Sequence, residues 1–209
     1  MKTLGFLKIT LKYDKKPVRS AEFCAGLRHK IMKKIVLVCG LIAGLISSAW
    51  CFISVRVFTN DVSLNTRTWL GYTAMILSFY LIFVGIKQYR DNYSNEVITF
   101  WKAFKIGLLI SLVGSTLYVL LWLISYYFFF PDFAGKYTAL MQAQMKADGA
   151  SAAAISREMA DMSKYFAWYK NPLFNILITY SEILPVGLVM ALIAAAVLKR
   201  KSRARLQAA

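Results

Sequence analysis

The sequence predicts an all-α membrane protein, a four-helix transmembrane bundle with an extramembrane helical hairpin between spans three and four. Three observations predict it. First, 58% of the 209 residues are hydrophobic and mean hydropathy is +0.52, whereas soluble domains run near 45–50% apolar even when glycine is counted. One globular core of this size could not hide that much apolar surface, so lipid has to cover part of it. Second, four apolar runs are each long enough to cross a bilayer. Third, the net charge of +16 gathers beside those runs. Residues 1–34 hold ten Lys/Arg and two acids, residues 87–105 hold four and two, and residues 199–209 hold five and none. Basic clusters flanking apolar runs follow the positive-inside pattern and do not form a nucleic-acid face.

The elements follow in chain order. Residues 1–31 form a basic amino-terminal arm without a long apolar run, and Met32-Lys33-Lys34 looks like a start of its own. The arm is expected to be a start-site extension or loosely ordered, with Leu4, Phe6, Leu7, Ile9 and Leu11 able to lie on anionic lipid. The membrane domain is expected over 32–201. Its first span is Ile35–Val55, 21 residues without a formal charge, about 31 Å at ~1.5 Å per residue. A signal peptide fits less well, because apolar residues continue past the poor cleavage site Ser47-Ser48-Ala49.

The second span is Trp69–Ile86, opened by Trp69 and Tyr72 at interface depth. The third is Ile106–Phe130, 25 residues and long enough to require tilt, ending in an aromatic belt before Pro131. The fourth is Leu173–Leu198, opened by Asn171-Pro172 and closed by Lys199-Arg200-Lys201. Between spans three and four, residues 132–170 carry five Lys/Arg and four acids, broken at Asp148-Gly149. Helices are predicted over Phe133–Lys146 and Ala152–Tyr169, the second capped by Ser151. Residues 202–209 form a basic tail. The charge distribution predicts both termini in the cytoplasm and the hairpin outside.

Small residues recur at fourfold spacing, which lets membrane helices approach closely. The stripes are Gly40, Gly44 and Ser48; Gly107, Ser111 and Ser115; Gly187, Ala191 and Ala195. The helix-packing candidates are Gly40, Gly44, Gly107, Ser111, Gly187 and Ala191.

Glu182 is the only acidic residue inside a span. It lies about 5 Å outward of the centre of span four at ~1.5 Å per residue. A charged carboxylate there is costly, so it should be neutral, face the bundle or line a wet cavity. Pro185 removes the amide that would bond the Ser181 carbonyl, a local break that suits either a site or a kink. Ser47, Ser48, Tyr72, Thr73 and Tyr118 fall at similar depth and could complete a polar layer. The candidate intramembrane polar site is therefore Glu182, Pro185, Tyr118 and Ser48, read as packing by hydrogen bonds more readily than as a proton or ligand site.

Metal and enzyme chemistry find little support. The single histidine, His29, lies in the arm, and Cys24, Cys39 and Cys51 have no metal-ligand spacing. Met141, Met145, Met159 and Met162 fit an apolar hairpin seam better than a Cu(I) site. GxSxG, HExxH and P-loop motifs are absent. The expectation is no cofactor, no metal, no catalytic residue and no enzyme activity. The expected partners are the bilayer, with anionic lipid at the basic face, and another membrane protein or a second copy.

Four stretches resemble a family of small bacterial membrane proteins, domain of unknown function 4199. They are Gly71-Tyr72-Thr73-Ala74-Met75-Ile76, Phe83–Asp91, Ile98–Gly107 and Glu182-Ile183-Leu184-Pro185-Val186-Gly187-Leu188. Trp101 stands where the family pattern suggests glycine. The likeness runs from about Met32 to Lys201. It implies a four-span inner-membrane protein without an established activity, and it places residues 1–31 outside the family region. Two functions are consistent with these features: a non-enzymatic scaffold, assembly factor or accessory subunit, or a small oligomeric transporter or proton-linked permease centred on Glu182.

Overall fold

A computed structural model describes residues 21–57, 64–94 and 96–200. Six α-helices account for nearly all of them: α1 (Ala21–Val57), α2 (Leu64–Tyr93), α3 (Phe100–Ile124), α4 (Phe133–Ala147), α5 (Ala152–Tyr169) and α6 (Pro172–Leu198). Among the described residues no strand forms, only an isolated antiparallel bridge between Ile98 and Arg200. Helices α1, α2, α3 and α6 contain segments long and apolar enough to cross a membrane, and they form the bundle. Helices α4 and α5 form the hairpin at one end, called here the hairpin end. The basic segments 28–34, 87–105 and 199–200 lie at the other.

Local chemistry fixes the boundaries. Thr99 caps α3 by accepting from the Lys102 amide, and Ser151 caps α5 by accepting from the Ala154 amide. Asn171 accepts from the Leu173 amide, with Pro172 at the first helical position of α6, where its missing N–H costs nothing. Gly149, at φ 75°, makes the left-handed turn that ends α4. At the basic end Ile98 and Arg200 exchange two backbone hydrogen bonds of 3.2 and 2.9 Å. Arg200 also reaches Glu96 at 3.1 Å, and Arg90 donates to the Leu198 carbonyl. The α2–α3 turn is thus fastened to the end of α6.

Helix α3 lies against α1, α2 and α6, and small residues set the spacing. A Cβ on Gly40 would meet Val113 at 2.7 Å, and one on Gly44 would meet the Gly114 carbonyl at 2.7 Å. A Cβ on Gly107 would meet Ala191 at 3.0 Å, and one on Gly187 would strike the Ser111 hydroxyl. The six packing candidates therefore sit at two seams, α1–α3 and α3–α6. Around them Ile82, Ile86, Ile106, Ile110, Ala194 and Ala195 are 0% exposed. The basic-end half of the bundle is filled to the backbone.

Two features differ from the sequence expectation. Helix α1 begins at Ala21, so residues 21–31 continue span one as helix instead of forming a loose arm. Nothing in Ala21–Lys34 breaks a helix except the tolerated Gly26, and Ile31 and Met32 pack against the core. The lipid-facing positions Leu4 to Leu11 and the tail 202–209 lie outside the described residues, as do the side chains of 21–25, Cys24 included. The second difference is a π-helical turn, Ser125–Phe129, at the end of span three. Phe130 donates to the Ser125 carbonyl across it at 2.9 Å. Pro131 stops the helix, but the extra residue per turn comes first and turns Tyr126 inward, where it is 9% exposed.

Candidate functional site

The hairpin-end half is built differently. Aromatic rings replace glycines as its packing units: Trp122, Tyr126, Phe133, Phe166 and Tyr169 form one edge-to-face cluster with centroids 5.2–6.5 Å apart. This cluster seats the base of the hairpin on α3 and α6. Polar groups thread through it. Trp122 Nε1 donates to the Tyr169 hydroxyl at 2.9 Å, and Tyr169 hydrogen-bonds the Thr179 side chain. Thr179 Oγ1 also donates to the Asn175 carbonyl at 2.8 Å. Burial pushes the Tyr169 phenol up to about 12 against the relief of those two bonds. Asn175 is 0% exposed and its Nδ2 has no partner.

Helical spacing puts Asn175, Thr179 and Glu182, at i, i+4 and i+7, along one side of α6. Glu182 lies within electrostatic reach of Cys51 on α1, Tyr118 on α3, and Tyr165 and Tyr169 on α5. Yet its own surface is exposed. It stands roughly 15 Å below the start of α6 at ~1.5 Å per residue. No Lys or Arg pairs with it among the described residues. Deeper in, Tyr118 hydrogen-bonds Cys51. A small cavity lined by Ser48, Cys51, Tyr118, Trp122 and Ser125 has about 10 Å³ open to water centres, room for one water.

The four residues nominated from sequence fall in different places. Tyr118 and Ser48 share the cavity, although Ser48 spends its hydroxyl on the Gly44 carbonyl at 2.7 Å. Glu182 reaches Tyr118 electrostatically. Pro185 is exposed and leaves α6 a continuous helix, with the Ser181 hydroxyl turned back to the Ile178 carbonyl. Of the rest of the expected polar layer, Ser47 is buried, but Tyr72 and Thr73 are exposed on α2, and Thr73 bonds only its own helix at Trp69. Sequence reasoning missed Asn175, Thr179, Trp122 and Tyr169. The first two carry a readable signal, polar residues at i and i+4 leading to Glu182. The other two do not, because only the folded hairpin brings Tyr169 to Trp122.

Among the described residues no group of three His, Cys, Asp or Glu is placed to hold a metal. The four hairpin methionines are all half-buried, and Met162 packs against the aromatic cluster.

A helical, multi-pass bundle with a filled half and a polar, hairpin-capped half defines a membrane protein class and no reaction. The chain matches the model of one family, described as a protein of unknown function (DUF4199), over residues 39–200, and it belongs to that family. No curated protein and no solved structure matches it.

Proposed function

We propose that this protein is a non-enzymatic scaffold, assembly factor or accessory subunit of a bacterial inner membrane, acting by lateral and hairpin contacts with another membrane protein or a second copy. The observation that carries this reading is the filled basic-end half. There the backbones of α1, α3 and α6 touch through glycine and serine, and the surrounding isoleucines and alanines are fully buried. A conducting path through this half would require seams at van der Waals contact to part. The hairpin supports a contact role, since α4 has no buried residue and Trp168 on α5 is 67% exposed.

Both termini lie in the cytoplasm under this proposal, with the basic clusters facing anionic lipid and residues 132–170 outside. Cysteine labelling with an impermeant reagent, after removal of the native cysteines, tests the orientation. Ala153→Cys should react in intact cells and Ser202→Cys should not; the reverse pattern inverts the topology. The function is tested by affinity purification of the full chain in mild detergent. A membrane protein should co-purify in fixed ratio, and Glu182→Gln should retain it. A lone chain that carries out proton-coupled flux in proteoliposomes, lost in Glu182→Gln, would replace this reading with the transporter.

A further inference from the structure

We propose that the outward side of α6 is a pairing surface for a second copy of this chain, with the two Glu182 carboxyls hydrogen-bonded to each other at its head. This deepens the scaffold reading and rests on it, since it names one lateral contact and the group that holds it.

Glu182 is the one acid inside a span, and it is exposed on α6. Among the described residues no ion pair or hydrogen bond reaches its carboxyl. Roughly 15 Å below the start of α6 at ~1.5 Å per residue, an exposed side chain meets lipid, which offers a carboxyl no partner. A polar group left so is costly.

The surface below it has the form of a helix seam. Pro185, Val189, Leu192 and Ala196 follow Glu182 at i+3, i+7, i+10 and i+14, and all five residues are exposed. Alternating steps of three and four keep them on one stripe, roughly 21 Å long at ~1.5 Å per residue. Gly187 and Ala191, which meet α3, lie on the other side of the helix and stay as they are. An apolar stripe alone would simply face lipid. The carboxyl at its head makes the difference, because a second helix laid along the stripe can hydrogen-bond it.

Chemistry selects a second copy as that helix. The spans 35–55, 69–86, 106–130 and 173–198 contain no Lys or Arg, so a copy brings no cation to this depth. It brings another carboxyl. Protonated, as the cost of a bare charge in lipid demands, a carboxyl both donates and accepts, so it is its own complement. Two copies inserted in the same direction and related by a twofold axis along the membrane normal set Glu182 against Glu182 at equal depth. In heptad-packed helices one polar residue on the seam fixes the register, and a valine and a leucine placed as Val189 and Leu192 are favour two parallel strands.

The test uses the full chain, its three cysteines replaced by alanine, in vesicles of phosphatidylglycerol and phosphatidylethanolamine. Under mild oxidation Val189→Cys should form a disulfide-linked dimer at least about tenfold faster than Leu45→Cys on α1. The two positions are 52% and 53% exposed, so random collision would link them equally. Photobleaching-step counts of chains with one fluorophore at the carboxyl terminus, at rising lipid dilution, read the association itself. Glu182→Leu should weaken it about tenfold, whereas Glu182→Gln keeps a donor and an acceptor and should stay within a few-fold of the native chain. Val189→Trp points into lipid in a single copy, so it spares the fold, and it should weaken pairing as strongly, which guards against a Leu variant that misfolds. Equal cross-linking of the two cysteines, or pairing undiminished in Glu182→Leu and Val189→Trp, would overturn the proposal. So would a single chain at every dilution; if that chain still held a different membrane protein in fixed ratio, the scaffold reading would stand without this surface.

Discussion

The two halves of this bundle solve the same packing problem with opposite materials. At the basic end, Gly40, Gly44, Gly107 and Gly187 bring backbones together, with the Ser111 hydroxyl set against Gly187. At the hairpin end, bulky aromatics hold the helices apart, and the space between them takes hydroxyls, a thiol, an amide and a cavity for one water. Glycine packing leaves little to rearrange, because one added carbon meets a carbonyl or a packed side chain at 3.0 Å or less. Aromatic packing leaves gaps; buried polar atoms without partners occur in both halves among the described residues, Asn175 Nδ2 and Trp50 Nε1 here and the Ser111 and Ser115 hydroxyls on α3. Unpaired donors in a membrane interior are costly. The lesson is that rigidity and chemistry are segregated along the membrane normal: one half is frame, the other is site.

The largest expected effect is an assault on the frame. Gly187→Leu would drive a side chain into Ser111 and Phe79, costing about 1–3 kcal/mol or more and lowering the thermal midpoint in detergent by several degrees. Gly71→Leu is the control, since a Cβ there meets nothing within 4 Å and surface changes of this kind usually stay within about 0.5 kcal/mol. Equal losses for the two would erase the distinction between filled and open regions.

Breaking the polar thread should cost less. Tyr169→Phe strips the acceptor from Trp122 Nε1, worth about 1 kcal/mol in a membrane protein. The loss should appear as faster proteolysis of the α4–α5 hairpin with the midpoint of the bundle almost unchanged.

The same residue sets a pH dependence. Its phenol is pushed up to about 12 from an ordinary 10, so the folded state holds the proton more tightly than the unfolded chain does. Hairpin stability should be full below pH 10 and decline as pH rises from 10 toward 12. Proteolysis measured across that window should steepen in the native chain and stay flatter in Tyr169→Phe.

The smallest effect belongs to the fastening at the basic end. Glu96 and Arg200 are 66% and 56% exposed, so Glu96→Ala should shift stability by no more than about 0.5 kcal/mol. The backbone bridge between Ile98 and Arg200 remains to hold the turn.

The frame was legible in the sequence because its determinants are local and periodic. Span lengths follow from uninterrupted apolar runs, and the stripes Gly40–Gly44 and Gly187–Ala191 follow from spacing alone. The hairpin was legible for a related reason, as Ser151 and Gly149 mark its turn by capping and by positive φ. The site was legible only in part. Glu182 announces itself by its cost in lipid, but its neighbours arrive from α1, α3 and α5, and contacts between distant segments leave no periodic trace. The π turn at Ser125–Phe129 was invisible too, because nothing in an aromatic run distinguishes hydrogen bonds that reach back four residues from ones that reach back five. Helix α1 reaches back to Ala21 because the residues of that basic stretch are ordinary helix formers, a property that apolar run length does not report.

The native cysteines give the most direct test of a closed frame and an open site. Cys51 lines the cavity at the hairpin end and is partly exposed, whereas Cys39 is buried among α1, α2 and α3 in the frame, at 2% exposure. With Cys24 replaced by serine, the full chain in nanodiscs is treated with a small neutral maleimide, and modification at each position is followed by peptide mass spectrometry. The account predicts that Cys51 reacts at least about tenfold faster than Cys39, in line with local opening being easier where packing is loose. Equal rates, or a faster Cys39, would mean that the glycine-packed half opens as readily as the hairpin half, and the division into frame and site would not stand.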